Sequence, residues 1–277
     1  MKHWAFFAIS LLITTLAQEP ARAVSEVAKA PSQQSDSDQD SSSAPKTPLE
    51  LAEIRAQILM ARKDYAEAAV AYQRILDQKP DNAQILNQIG IAYQELHQDE
   101  LAERFYRRAL KADKNSPFIL NNLGSIEHGK GRYGRAIKYY KKAIQVGGDA
   151  QAAVYYNLGS AYCAIRQFPR AMEAFGKALA IDPHVFEARG GAGAIIQQHS
   201  DTDQGTLNYF IAKSYAKAGD AERAARYLKI ARDDGYKNFM AAEKDPDFAK
   251  VIKDPQVQEV LHRRPAYETQ QDTPVTN

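Results

Sequence analysis

Small and apolar residues recur along the central part of the chain at intervals of 34 or 35 residues, and between recurrences the apolar positions fall at helical spacing. One recurring position holds Gly90, Gly124, Gly159 and Gly193, with Ala56 one period before them. The other holds an alanine followed four residues later by an aromatic: Ala68 with Tyr72, Ala102 with Tyr106, Ala136 with Tyr140, and Ala171 with Phe175. Small residues allow close helix approach, and aromatic rings fill the space beside them. Because no segment alternates as a strand does, we expect an all-α fold built of packed helix pairs.

Helix breakers divide the chain into repeating units. Pro80, the Gly147-Gly148 pair and Pro183 stand near the ends of the first, third and fourth periods. The predicted units are about 49–82, 83–116, 117–151 and 152–185, followed by an irregular region at 186–238. In that region a first helix is expected from Phe186 to His199, after which the pattern restarts in a new register. Since a lone helix pair cannot bury its apolar face, the units should stack into a solenoid.

The repeated motifs resemble the tetratricopeptide repeat. They read Leu86-x-x-Ile89-Gly90-x-x-Tyr93 and Tyr155-x-x-Leu158-Gly159-x-x-Tyr162, each followed by its alanine–aromatic pair. The resemblance, which covers about 49–238, implies antiparallel helix pairs in a right-handed superhelix, with a concave groove lined by the first helix of each pair. Two departures stand out: Glu127 replaces the aromatic of the third unit, and the first unit has only Ala52 and Ala56 at its signature positions.

Both ends of the chain have distinct compositions. Lys2 and His3 precede an apolar run from Trp4 to Leu16, and Ala21-Arg22-Ala23 supplies small residues at cleavage spacing. This layout predicts a signal peptide at 1–23 and an exported bacterial protein, periplasmic or secreted, with an uncleaved membrane anchor as the alternative. Disordered segments are expected at 24–48 and 265–277, which are rich in polar residues and proline.

Two Asp-Pro pairs follow the last repeat. They are Asp245-Pro246 and Asp254-Pro255, and each places a capping side chain before a proline at the first helical position. We expect two short helices within 239–264 that cover the exposed end of the solenoid.

Composition excludes several function classes. A formal net charge of +2 gives no reason to expect nucleic-acid binding, and one cysteine, Cys163, excludes an intramolecular disulfide framework. The histidines lack the spacing of a metal site, so no catalytic residue, metal or cofactor is predicted. Cys163 is either a small packing residue or a thiol exposed in the groove. The favoured function is therefore a non-catalytic scaffold or assembly factor in the cell envelope that binds a protein or peptide. The alternative is an enzyme or an enzyme's accessory domain, with catalysis in the irregular stretch 186–204.

Two sets of residues are candidates for binding a partner. Amides and an aromatic recur just before the signature glycine, and the resemblance places them in a peptide-binding groove: Asn87, Gln88, Asn121, Asn122, Tyr156 and Asn157. The alternative is that these amides bond between neighbouring helices. The third unit also carries a run of basic residues without an acid among them, Arg132, Arg135, Lys138, Lys141 and Lys142. That run is either a solvated helix face or a surface for an anionic partner, such as lipid headgroups at the envelope or an acidic protein.

Overall fold

The computed structural model describes residues 47–187 and 204–262, and within these ranges it contains helices and no β-strand. In these ranges ten α-helices form five pairs: α1 (Pro48–Arg62) with α2 (Tyr65–Gln78), α3 (Ala83–Glu95) with α4 (Asp99–Ala112), α5 (Pro117–Gly129) with α6 (Tyr133–Gln145), α7 (Ala152–Ala164) with α8 (Phe168–Ile181), and α9 (Gln204–Ala218) with α10 (Ala221–Asp233). A short helix, α11 (Pro255–His262), follows. Each pair packs on the next, which confirms the predicted all-α solenoid.

Capping side chains fix where several first helices begin. Thr47 and Glu50 form a reciprocal capping box, so α1 starts at Pro48, inside the segment predicted to be a linker. The side chains of Asn82 and Ser116 accept hydrogen bonds from backbone N–H groups at the starts of α3 and α5. These local signals agree with the helix boundaries that the repeat period predicts.

A left-handed residue stands between the two helices of every pair. It is Lys63, His97, Gly131, Arg166 or Gly219, and each has a φ between 58° and 92°. The next residue's N–H then donates to the carbonyl five residues back, as when Gln98 N donates to the Tyr93 carbonyl at 2.9 Å. This hydrogen bond satisfies a carbonyl group that would otherwise lack a partner at the helix end, and the left-handed residue redirects the chain into the second helix.

Close contact between glycine and an aromatic ring holds three of the pairs together. Gly90 meets Tyr106, Gly124 meets Tyr140, and Gly159 meets Phe175. A Cβ atom built on any of these glycines would lie 2.4–2.5 Å from the nearest ring carbon, so only glycine permits the observed helix spacing. In the fifth pair Ala212 and Leu228 occupy the equivalent positions and are both fully buried. Alanine adds a methyl group relative to glycine, and the leucine opposite it is smaller than the aromatic rings of the other pairs.

The buried apolar residues form two clusters that meet at α5. One cluster runs from α1 to α5, and the other runs from α5 to α11. Three polar side chains on α5 are buried near this boundary: Ser125, Glu127 and His128. The junction after α6 uses Gly147, at φ 109°, and Gly148, where a Cβ would approach the Ala143 carbonyl oxygen to 2.6 Å.

The chain after Pro183 departs from the period. Residues 183–187 form a turn, so the helix expected to start at Phe186 does not begin there, and its remainder lies outside the described residues. Phe186 is buried instead, with its ring against Tyr156, Phe175 and Tyr215. Helix α9 packs against α7 and α8 and so occupies the place of the next first helix.

The C-terminal segments pack on the last helix pair. The first Asp-Pro pair begins only a 3₁₀ turn, Pro246–Phe248, where one short helix was expected, and the second begins α11. Another 3₁₀ segment, Phe239–Lys244, precedes them. Their buried residues Phe248, Val251, Val257 and Leu261 join the second apolar cluster. These contacts cover apolar surface of α9 and α10 that would otherwise face water.

Candidate functional site

Two amide–amide hydrogen bonds link neighbouring first helices. Asn122 Nδ2 on α5 donates to Asn87 Oδ1 on α3, and Asn157 Nδ2 on α7 donates to Asn121 Oδ1 on α5, both at 2.9 Å. All four side chains are half-buried. We call this arrangement the amide ladder. The structure therefore brings together four of the six residues expected in the groove, and it gives them the contact between helices that was the alternative to ligand binding.

The amide ladder keeps hydrogen-bonding capacity. Each asparagine amide offers two donors and one acceptor oxygen, and each bond uses only one donor and one acceptor. Among the described residues, Asn87, Asn121 and Asn122 make no other side-chain hydrogen bond. The adjacent Gln88 has a buried Oε1 atom without a hydrogen-bond partner in the described structure. Asn87, Asn121 and Asn122 therefore keep unused hydrogen-bonding capacity while the ladder stays intact, whereas the Gln88 oxygen is enclosed.

An exposed aromatic lies beside the ladder. Phe118 is 62% exposed and stands three residues before Asn121, so the two share one face of α5. The equivalent face of α7 is closed, because Tyr156 is 4% exposed and packs on Phe175 and Phe186. Tyr156 was expected in the groove; the described structure makes it a packing residue.

The basic face lies on α6, the second helix of its pair. All five predicted residues are exposed: Arg132, Arg135, Lys138, Lys141 and Lys142. Lys141 Nζ lies 6.0 Å from the centre of the Tyr162 ring, a cation–π distance. Arg132 and Arg135 are not isolated cations, because each lies within 4 Å of the buried Glu127 carboxylate. Sequence reasoning missed the third guanidinium at this carboxylate, Arg107 of α4.

The other side chains with possible chemical roles, Cys163 and His128, are buried in the fold. Cys163 is 3% exposed, and burial raises the pKa of its thiol to about 12, which favours the packing interpretation over a groove-exposed thiol. Burial also lowers the pKa of His128 to about 4. In the described part of the chain no group of histidine, cysteine and carboxylate side chains is arranged to hold a metal ion. No described helix combines the length and apolar character needed to cross a bilayer.

Stacked helix pairs joined by a recurring glycine–aromatic contact define a helical-repeat solenoid. Two sequence models, each described as tetratricopeptide repeat, match residues 59–119 and 117–184. Residues 59–184 are therefore similar to tetratricopeptide repeats.

Curated relatives share part of the chain. It is 28% identical over 155 residues to Tetratricopeptide repeat protein 8 of Caenorhabditis elegans, a match that covers 56% of this chain and 31% of that protein. It is 25% identical over 127 residues to the type IV pilus assembly protein PilF of Pseudomonas aeruginosa, covering 44% of this chain and 49% of PilF. The chain thus matches less than half the length of both relatives.

Solved structures show the same fold. The structure of Pseudomonas aeruginosa PilF aligns with a TM-score of 0.51 at 20% identity, over 77% of this chain and 86% of that one. The structure of PilW, described as a type IV pilus biogenesis factor, aligns with a TM-score of 0.51 at 18% identity, over 84% of this chain and 96% of that one. At these identities the likeness concerns the fold.

Proposed function

We propose that this protein is a non-catalytic scaffold that binds an extended segment of a partner protein along the first helices α3, α5 and α7. The observation that carries the proposal is the amide ladder, in which Asn87, Asn121 and Asn122 are half-buried and keep donors and acceptors that the described structure does not use. An amide matches a peptide group whatever side chain the peptide carries. Because each such bond contributes only about 0.5–1.5 kcal/mol net, several rungs and an apolar anchor are needed for micromolar binding.

Phe118 is the proposed apolar anchor. Large exposed aromatics are frequent contributors to binding energy, since they remove much apolar area from water on contact. Its place on the same face of α5 as Asn121 would let one peptide contact the ring and the amide ladder together. The closed surface around Tyr156 would limit how far the peptide extends towards α9.

A matched pair of variants tests this site. A random-peptide display library would be selected on the unmodified protein, and selected peptides would then be measured on Phe118→Ser and Val70→Ser. Val70 is a suitable control because it is 55% exposed but lies on α2, a second helix. We expect Phe118→Ser to weaken binding by about tenfold, the loss of about 1.4 kcal/mol, and Val70→Ser to leave it unchanged. Equal binding by both variants would place the site elsewhere.

The double change Asn122→Ala with Asn157→Ala tests the amide ladder itself. It removes both donors and should weaken peptide binding further than Phe118→Ser does alone. A loss of stability of about 0.5–1.5 kcal/mol per bond is also expected, because Asn87 and Asn121 lose their partners. Affinity is therefore measured under conditions where circular dichroism shows the variant fully folded. Unchanged affinity would mean that the amides bond only between helices and do not contact the peptide.

We also propose that the protein is exported and works in the cell envelope. The charged, apolar and small residues at 1–23 support this, as does similarity to proteins named for type IV pilus assembly. Mass spectrometry of the protein from its native host should find an N-terminus near Val24. Recovery from the cytosol with Met1 intact would contradict the proposal. An enzymatic role centred on 186–204 remains the alternative, and most of that stretch lies outside the described residues.

A further inference from the structure

Three arginines surround one buried carboxylate at the edge of the second and third helix pairs. Glu127, near the end of α5, is 2% exposed. Arg107 Nη2 lies 3.9 Å from its Oε1, while Arg132 Nη1 and Arg135 Nη1 lie 3.7 and 3.9 Å from its Oε2. The three arginine side chains remain 51–66% exposed. We call Arg107, Arg132 and Arg135 the arginine cluster.

The arginine cluster has unused hydrogen-bond donors. Distances of 3.7–3.9 Å allow electrostatic attraction to Glu127 but exceed the range of a hydrogen bond. Glu127 Oε2 is buried and has no hydrogen-bond partner among the described residues. A guanidinium carries five N–H donors. In the described structure the side chains of Arg132 and Arg135 donate none of them, whereas Arg107 bonds to Glu103 at 2.6 and 2.8 Å.

The surroundings leave the site positively charged. Lys130 Nζ also binds Glu103, at 2.6 Å, so the neighbourhood holds four cationic and two anionic side chains, an excess of two positive charges. Exposed Lys138, Lys141 and Lys142 continue the basic surface along α6. This surface lies on the second helix of the pair and is therefore separate from the amide ladder of the first helices.

Glu127 explains why the arginines converge. At the same register position the neighbouring units have Tyr93 and Tyr162, so a carboxylate here replaces a packing residue. A buried carboxylate is strongly destabilising unless cations lie close to it. The attraction holds three guanidiniums near one point and reduces the side-chain entropy that they would lose on binding a ligand.

We propose that the arginine cluster binds carboxylate side chains of an acidic segment in a partner protein. The planar guanidinium fork matches the two oxygens of a carboxylate, and charge-assisted bonds of this kind are short and directional. A lipid surface fits less well. It would be attracted to any exposed cation, and α6 exposes no large apolar side chain that could enter a bilayer.

The test exchanges arginine for lysine so that charge is preserved. Binding of an acetylated and amidated hexaglutamate peptide would be measured by isothermal titration calorimetry at about 0.15 M salt, where exposed charges more than about 8 Å apart are largely screened. We expect the double variant Arg132→Lys with Arg135→Lys to bind about tenfold more weakly, because lysine lacks the fork. Both lysines still compensate the charge of Glu127, so the double variant should fold. If it does not, the single variant Arg135→Lys, at the most exposed of the three positions, is measured in its place.

The matched control lies on the same helix. Lys138→Gln with Lys142→Gln removes two charges from α6 but leaves the arginine cluster intact, and we expect its affinity for hexaglutamate to change less than threefold. Vesicles containing phosphatidylserine are measured in parallel. The proposal is overturned if the unmodified protein does not bind hexaglutamate, or if the arginine-to-lysine variant binds it equally well. It is also overturned if the lysine-to-glutamine variant alone loses binding to both hexaglutamate and vesicles, which would indicate a diffuse basic surface that recognises membranes.

Discussion

Replacing Gly159 with alanine tests the contact that sets helix spacing in the repeats. The new Cβ would lie 2.4 Å from Phe175 Cε1, whereas ordinary contact between carbon atoms begins near 3.4 Å, so the ring or the helix must move by about 1 Å. Forcing a methyl group into a packed core costs about 1–3 kcal/mol. Alanine also stabilises a helix by about 0.5–1 kcal/mol relative to glycine. We therefore expect a net loss of about 1 kcal/mol.

Gly176 provides the matched control for this change. It lies on α8 of the same helix pair, and no atom beyond its own helix backbone and chain neighbours lies within 4 Å of a Cβ built there. Gly176→Ala should therefore stabilise the protein by about 0.5–1 kcal/mol, through helix propensity alone. Urea unfolding followed by far-UV circular dichroism measures both variants, and the difference between them isolates the steric term. If the two variants had equal unfolding midpoints, the glycine–aromatic contact would not set the helix spacing.

The fifth pair suggests how the steric conflict can be relieved. There Ala212 stands opposite Leu228, so the smaller side chain accompanies the added methyl group. Adding Phe175→Leu to Gly159→Ala should recover part of the steric cost, although Phe175→Leu alone destabilises by removing buried apolar volume. A double-mutant cycle should therefore give a favourable coupling energy of about 0.5–3 kcal/mol. Strict additivity would mean that the two side chains do not compete for the same space.

Three further predictions follow from backbone conformation and burial. His97→Gly should raise stability by about 0.5–1 kcal/mol, since His97 has a φ of 58° where Gly131 serves in the next pair, and urea unfolding measures it. The pKa of His128 is lowered by burial to about 4, below the ordinary 6.5, so the unfolded chain binds the proton more tightly. Stability should fall as pH drops from 6.5 to 4, and His128→Gln should show a smaller change in urea midpoint between about pH 7.5 and about pH 5. Cys163, buried and with its pKa raised to about 12, should react with a thiol reagent only when urea unfolds the protein.

The 34- or 35-residue repeat of the sequence was sufficient to predict helix contacts that depend only on small and large residues recurring at a fixed spacing. Gly159 and Ala171 were expected to mark close approach between α7 and α8, and the structure confirms the contact of Gly159 with Phe175 and the complete burial of Ala171. Only some of the left-handed turns between paired helices could have been predicted from the sequence. Gly131 stands at such a turn, but His97 takes the same backbone conformation without any local sequence signal.

The period could not predict contacts made where the chain leaves it. Tyr156 has the register of a groove residue, yet it is buried because the turn at 183–187 brings Phe186 against its ring. The sequence did not predict the arginine cluster, for a similar reason. Glu127 was visible as a departure from the family pattern, but one of its cations, Arg107, comes from the preceding helix pair. Which helix faces meet across two units depends on superhelical geometry, which single-repeat spacing does not specify.

Helix α5 shows how the two proposed binding surfaces affect the solenoid between them. It carries Phe118 and Asn121 on the face next to the amide ladder, and Glu127 at its other end, where the arginines converge. The same helix holds three of the five buried polar or charged residues in the described structure, and the two apolar clusters meet there. Polar groups at these positions replace apolar packing, and the energetic loss is tolerated because neighbouring helix pairs supply the core. A partner bound to either surface would add contacts where the apolar core is interrupted, so it should stabilise the junction between the two halves of the solenoid more than either half alone.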